Sequence, residues 1–111
     1  MIDWSRVADL RDEIGSDSFN EVVDIFLTET GAGVARISHC ADRTYLAAEL
    51  HLLKGGVLTL GFSEVAQLCQ NGEALANAGR ADQIDLAAIA LAYDRACDML
   101  LTQLPQHLLA G

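Results

Sequence analysis

Leu46, Leu50, Leu53, Val57 and Leu60 follow one another at spacings of four, three, four and three. That interval gathers apolar side chains on one face of an α-helix and on no face of a strand. Similar stripes recur along the chain, and no stretch alternates apolar and polar residues long enough to predict a sheet. The single proline leaves such helices room to run. Stripes and stop signals together predict five helices, over about 3–14, 18–38, 44–60, 63–78 and 85–104.

The first carries Trp4, Val7, Leu10 and Ile14 and stops at Gly15. The second is expected to begin at Ser18, where Ser18-Phe19-Asn20-Glu21 has the spacing of a capping box. Its stripe is Phe19, Val22, Phe26, Val34 and Ile37, with Gly31 and Gly33 expected to kink or loosen it. His39 to Arg43 reads as a turn, and the third helix starts near Thr44 and ends at Gly61. Ser63 is placed to cap the fourth, which holds Val65, Leu68, Cys69, Leu75 and Ala76. After a polar turn from Gly79 to Asp82, the fifth presents Leu86, Ile89, Tyr93, Ala96, Leu100 and Leu104, with Pro105 expected to close it. Four long amphipathic helices on short connections predict an all-α fold, an antiparallel four-helix bundle. The short additional N-terminal helix would cover one end, anchored by Trp4. Residues 1–111 read as one domain, without repeat or linker.

Seven basic against sixteen acidic residues give a net charge of −9. That balance opposes nucleic acid and anionic membrane surfaces as partners. No apolar run approaches the roughly 20 residues that span a bilayer. The start, Met1-Ile2-Asp3-Trp4-Ser5-Arg6, lacks the basic-then-apolar order of a secretion signal, so a cytoplasmic location is expected. The initiating Met and full bundle length point to a stand-alone protein. Cys40, Cys69 and Cys97 are an odd number with no Cys-x-x-Cys pair, which argues for free, largely buried thiols over disulfides or structural zinc. No His-x-x-x-His or Glu-x-x-His pair exists, and Glu49 and His51 point to different sides of a helix, so no metal site is expected. His39 and His107 receive no role.

The third helix departs from its neighbours over Ala47-Ala48-Glu49-Leu50-His51-Leu52-Leu53-Lys54-Gly55-Gly56. His51 lies about 100° round from Leu50, off the core stripe, and its neighbours one turn away are Ala47, Ala48, Lys54 and Gly55. Two glycines inside a helix each cost about 0.8–1 kcal/mol relative to alanine, an expense that the stripe does not explain and that points to function or, alternatively, to close helix packing. An exposed neutral imidazole is a nucleophile near neutral pH. A nearby ammonium stabilises arriving negative charge, and missing side chains let another backbone come close. Together these suit acceptance of a phosphoryl group from a partner protein. Transfer from ATP is not expected, since the chain has neither a glycine-rich nucleotide loop nor a set of acidic Mg²⁺ ligands.

His51-Leu52-Leu53-Lys54-Gly55, followed by Gly61, Leu68-Cys69 and Glu73, resembles the signature of histidine phosphotransfer (HPt) domains. The resemblance implies a bundle that relays phosphate between receiver-domain aspartates in a two-component phosphorelay, a phosphocarrier and not an enzyme with kinase activity of its own. By position, His51 is the phosphoacceptor, Lys54 its electrostatic helper and Gly55 the clearance beneath an incoming receiver. Glu73 falls where such domains often carry Glu or Gln close to the histidine, and could orient the ring through its N–H. The implied partners are response-regulator receivers or a hybrid histidine kinase, with Mg²⁺ on the receiver and no cofactor on this chain. Gly56 stands where Ser is common, Val57 and Leu58 replace smaller residues, and Gly72 occupies a place usually taken by Leu. Beside this reading stand a helical interaction module that binds a receiver or kinase without carrying phosphate, and an enzyme with a buried site, for which convergent polar groups are missing. Ile25 and Leu27 flank the second helix's stripe and offer either a patch for a partner helix or packing under the first helix.

Overall fold

The structure, a computed structural model, describes residues 2–39 and 43–110, and of Arg43 and 104–110 the backbone alone. Among these residues are five α-helices: α1 (Trp4–Ile14), α2 (Ser16–His39), α3 (Leu46–Thr59), α4 (Ser63–Asn77) and α5 (Leu86–Ala110). Helix α3 packs on α2 and, most extensively, on α4, and α5 closes the ring against α2 and α4. The short links make consecutive long helices antiparallel, as the apolar spacing predicts. Phe19, Ile37, Leu46, Leu50, Val57, Phe62, Val65, Ile89 and Leu100 fill the centre, all nearly inaccessible to solvent.

Helix α1 lies on α2 and α3 with Trp4 packed against the core. Asp3 caps it, accepting from the Arg6 N–H at 3.3 Å. The Asp3 N–H also donates to the Gly61 carbonyl at 2.6 Å, and Ile2 bridges to Phe62. Gly61 needs its positive φ of 77° for this turn, and a Cβ there would stand 2.6 Å from the Asp3 carbonyl oxygen.

Helix boundaries differ from the sequence reading where a turn is tighter than side-chain signals suggest. Gly15, at φ 83°, reverses the chain so abruptly that α2 begins at Ser16, which leaves Ser18 inside the helix and not at its cap. Gly31 and Gly33 do not interrupt α2, which runs through to His39; Gly33 faces Leu53 and Gly31 faces Tyr93. His39, expected in a turn, therefore belongs to α2, and the next residues of that expected turn, Cys40, Ala41 and Asp42, lie outside the described residues. Residues 43–45 form a 3₁₀ turn, so α3 starts at Leu46 and not at Thr44. Ser63 is the first residue of α4, with Phe62 in the cap position. Asp85 caps α5, its Oδ1 accepting from the Ala88 N–H at 3.0 Å. Pro105 does not close α5, which continues to Ala110 with the Leu101 carbonyl lacking an amide from position 105. Cys69 is buried and Cys97 half-buried, both free.

Candidate functional site

The core stripe of α3 turns Leu50, Leu53 and Val57 inward, which rotates His51 to the outside. Its side chain is 67% exposed. Glu73, one helix away on α4, reaches it: Oε2 lies 3.1 Å and Oε1 3.3 Å from Nδ1. Lys54, one turn on from His51, donates from Nζ to Glu73 Oε1 at 3.4 Å. Glu73 is therefore the hub, binding the imidazole and the ammonium at once. The half-buried setting of its carboxyl pushes its pKa up, but the His51 hydrogen bond, then the Lys54 hydrogen bond and charge, outweigh that and hold it below the ordinary carboxylate range. An ionised carboxylate only accepts, so the proton of this contact sits on Nδ1, and in the neutral ring the lone pair is then on Nε2.

All four residues singled out in the sequence occupy this one face, though the two adjacent glycines divide. A Cβ on Gly55 would meet nothing, which leaves open space one turn from the imidazole. A Cβ on Gly56 would stand 2.7 Å from Thr30 Cγ2, so this glycine serves the α2–α3 contact. Gly72 likewise has an internal reason: a Cβ there would lie 2.9 Å from Leu50 Cδ1 and 3.3 Å from Ile84 Cγ2. Beneath the site Cys69 is buried, and burial pushes its thiol up to about 12, with the Lys54 charge opposing and Glu73 reinforcing the shift. Such a thiol is inert packing.

Between α2 and α3, beside His51, runs an open groove of about 480 Å³. Phe26, Gly33, Leu53 and Gly56 lie along it, Leu52 stands at its side 67% exposed, and Glu29 and Arg36 add charge. Arg36 Nε also donates to Glu49 Oε2 at 3.0 Å, joining the two helices. Ile25 is exposed and Leu27 packs against the core, so the apolar patch beside His51 comes chiefly from Leu52 and the groove. Sequence reasoning missed the groove and Thr30, although Phe26, Thr30 and Val34 stand four apart on one stripe. Among the described residues no three of His, Cys, Asp and Glu come together to hold a metal ion. Among the same residues no helix is long and apolar enough to cross a membrane.

The fold is thus a helical bundle that holds the imidazole of His51 at its surface with a carboxylate from the next helix. The Hpt domain family model matches residues 21–108, and the chain belongs to that family, the histidine phosphotransfer modules of two-component systems. Neither curated proteins nor solved structures gave a match.

Proposed function

We propose that this chain carries a phosphoryl group on His51 from the aspartate of one receiver domain to that of another. The observation that carries the reading is the Nδ1 contact to Glu73, which in the neutral ring puts the proton on Nδ1 and the lone pair on the exposed side, at Nε2. In the forward step Nε2 attacks phosphorus in line, the N–P bond forms, the acyl-phosphate P–O bond breaks, and the receiver's aspartate leaves as a carboxylate. The ring gains positive charge while keeping its Nδ1 proton, and Glu73 is placed to stabilise that charge. In the return step a second receiver's carboxylate attacks phosphorus and the ring leaves neutral. Lys54 lowers the cost of bringing a phosphoryl group to a chain of net charge −9. The receiver supplies Mg²⁺ and most of the transition-state charge stabilisation, so the carrier needs no cofactor, nucleotide site or enclosing pocket. An apolar receiver helix beside its phosphorylation site would lie in the α2–α3 groove, with Gly55 giving it clearance. The chain would act in the cytoplasm, with hybrid kinases and response regulators as partners.

The test is transfer from phosphorylated receiver domains to the wild type and to His51→Ala. Acid-labile label on the wild type and none on the variant is the expected result. Undiminished label on His51→Ala overturns the assignment, and binding without transfer makes the chain an interaction module.

A further inference from the structure

Thr30 is a polar side chain buried on the inner stripe of α2, 4% exposed. Its Oγ1 lies 2.7 Å from the Phe26 carbonyl oxygen and 2.7 Å from the hydroxyl of Tyr93, which comes from α5. The Tyr93 hydroxyl is also 3.1 Å from the Leu27 carbonyl oxygen and donates to it. Two hydroxyl protons thus serve three short contacts, and neither group can move without disturbing the other. A threonine hydroxyl that bonds back one turn bends a helix. Here that bond falls just before Gly31 and Gly33, where α2 is intrinsically weakest, and the tyrosine contacts the same turn from inside the bundle.

The other arm of Thr30 faces α3. Its Cγ2 fills the space where Gly56 would otherwise carry a Cβ, at 2.7 Å. One side chain therefore places its hydroxyl on α5 and its methyl on the helix of His51, and it also lines the groove beside that histidine. Tyr93 is 6% exposed and presents no surface to a partner, so any influence it has on docking passes through its two contacts on α2, Thr30 and the Leu27 carbonyl.

We propose that Thr30 and Tyr93 form a positioning clamp that sets the curvature of α2 along the groove, and with it the affinity for the receiver helix that docks there. The proposal rests on the reading of the chain as a receiver-fed phosphocarrier. It also explains why α2 keeps two glycines in its middle without breaking: the clamp supplies from α5 the shape that the local sequence does not hold.

Tyr93→Phe removes the hydroxyl and keeps the ring, which packs edge-on against Phe62 at 6.0 Å. Thr30→Val removes the other hydroxyl and keeps a methyl toward Gly56. For each variant and the double, three quantities are read on folded protein: Kd for a receiver domain that binds the wild type, transfer from that receiver when phosphorylated, and labelling of His51 by phosphoramidate, a small donor with no docking surface. Each single variant weakens receiver binding roughly three- to tenfold, as loss of one intramolecular hydrogen bond allows, and the double is no weaker than the worse single. Phosphoramidate labelling stays at the wild-type rate. A purely stabilising pair would lower the melting temperature and leave Kd unchanged; that result overturns the clamp, as does labelling that falls in step with binding. If the wild type binds a receiver but accepts nothing from it, the carrier reading fails while Kd still judges the clamp. If no receiver binds at all, both fall.

Discussion

Glu73 Oε2 stands 3.1 Å from Nδ1 of His51 across 22 residues of sequence, and its other oxygen takes the Lys54 ammonium. One carboxylate thus decides which ring nitrogen faces solvent with its lone pair and where the nearest cation rests. Charge-assisted hydrogen bonds of this kind are stronger than neutral ones. Glu73→Ala should slow phosphoryl transfer by roughly tenfold, and Glu73→Gln less, since the amide oxygen can still accept. Nitrogen NMR of the His51 ring should report the Nδ1–H tautomer in the wild type and a mixture in Glu73→Ala. An unmixed Nδ1–H ring in Glu73→Ala would show that the carboxylate does not orient it.

The lowered pKa of Glu73 has a consequence for acid stability. Folding favours its ionised form, so the contribution is complete above the ordinary glutamate value of about 4.3 and lost as pH falls through the lowered one. Thermal melts of wild type and Glu73→Gln should differ most above the ordinary glutamate value of about 4.3 and converge as pH falls below it. A constant difference across that range would mean that the ion pair does not hold the carboxylate.

Gly55 and Gly56 should answer the same substitution in opposite ways. Gly55→Ala places a methyl in open space and should raise stability by up to about 1 kcal/mol through helix propensity. Gly56→Ala drives a methyl into Thr30, and such overpacking costs about 1–3 kcal/mol, enough to cancel or reverse the gain. Denaturant melts measure the contrast. Transfer from a receiver to Gly55→Ala should fall despite its greater stability, since the methyl takes the clearance from the partner.

Gly72→Leu should destabilise the chain by about 1–3 kcal/mol, because the added side chain meets Leu50 and Ile84 in a closed interior. Leu50→Ala in the same chain should recover part of the loss. If Gly72→Leu melts with the wild type, the α3–α4 contact is looser than these distances require.

The bundle was legible because Leu46, Leu50, Leu53, Val57 and Leu60 leave few alternatives to a half-buried helix. The His51 face was legible for the converse reason, since a titratable group and a pair of glycines break the apolar pattern; of the pair, Gly55 opens space and Gly56 serves the packing on α2. Glu73 emerged only through family resemblance, because nothing local to α4 marks one surface glutamate as pointing toward α3. Gly56 and Gly72 needed coordinates: space beside a glycine is set by Thr30, Leu50 and Ile84, which come from other helices. The start of α2 was misjudged because Ser18 carries the side-chain signature of a cap, while the turn itself is made by backbone geometry at Gly15. Thr30 escaped notice because a threonine on an apolar stripe passes for a tolerated substitution until its partner on α5 is seen.

The hydrogen bond from Asp3 to Gly61 has a practical side. It fastens the residue that caps α1 to the turn from which α4 departs, and α4 carries Glu73. Anything bulky spliced immediately ahead of Asp3, such as an affinity tag or a fluorescent fusion, therefore pulls on the joint that aims the carboxylate at the imidazole. A spacer of several residues would insulate that joint and keep a labelling experiment from reporting on its own handle.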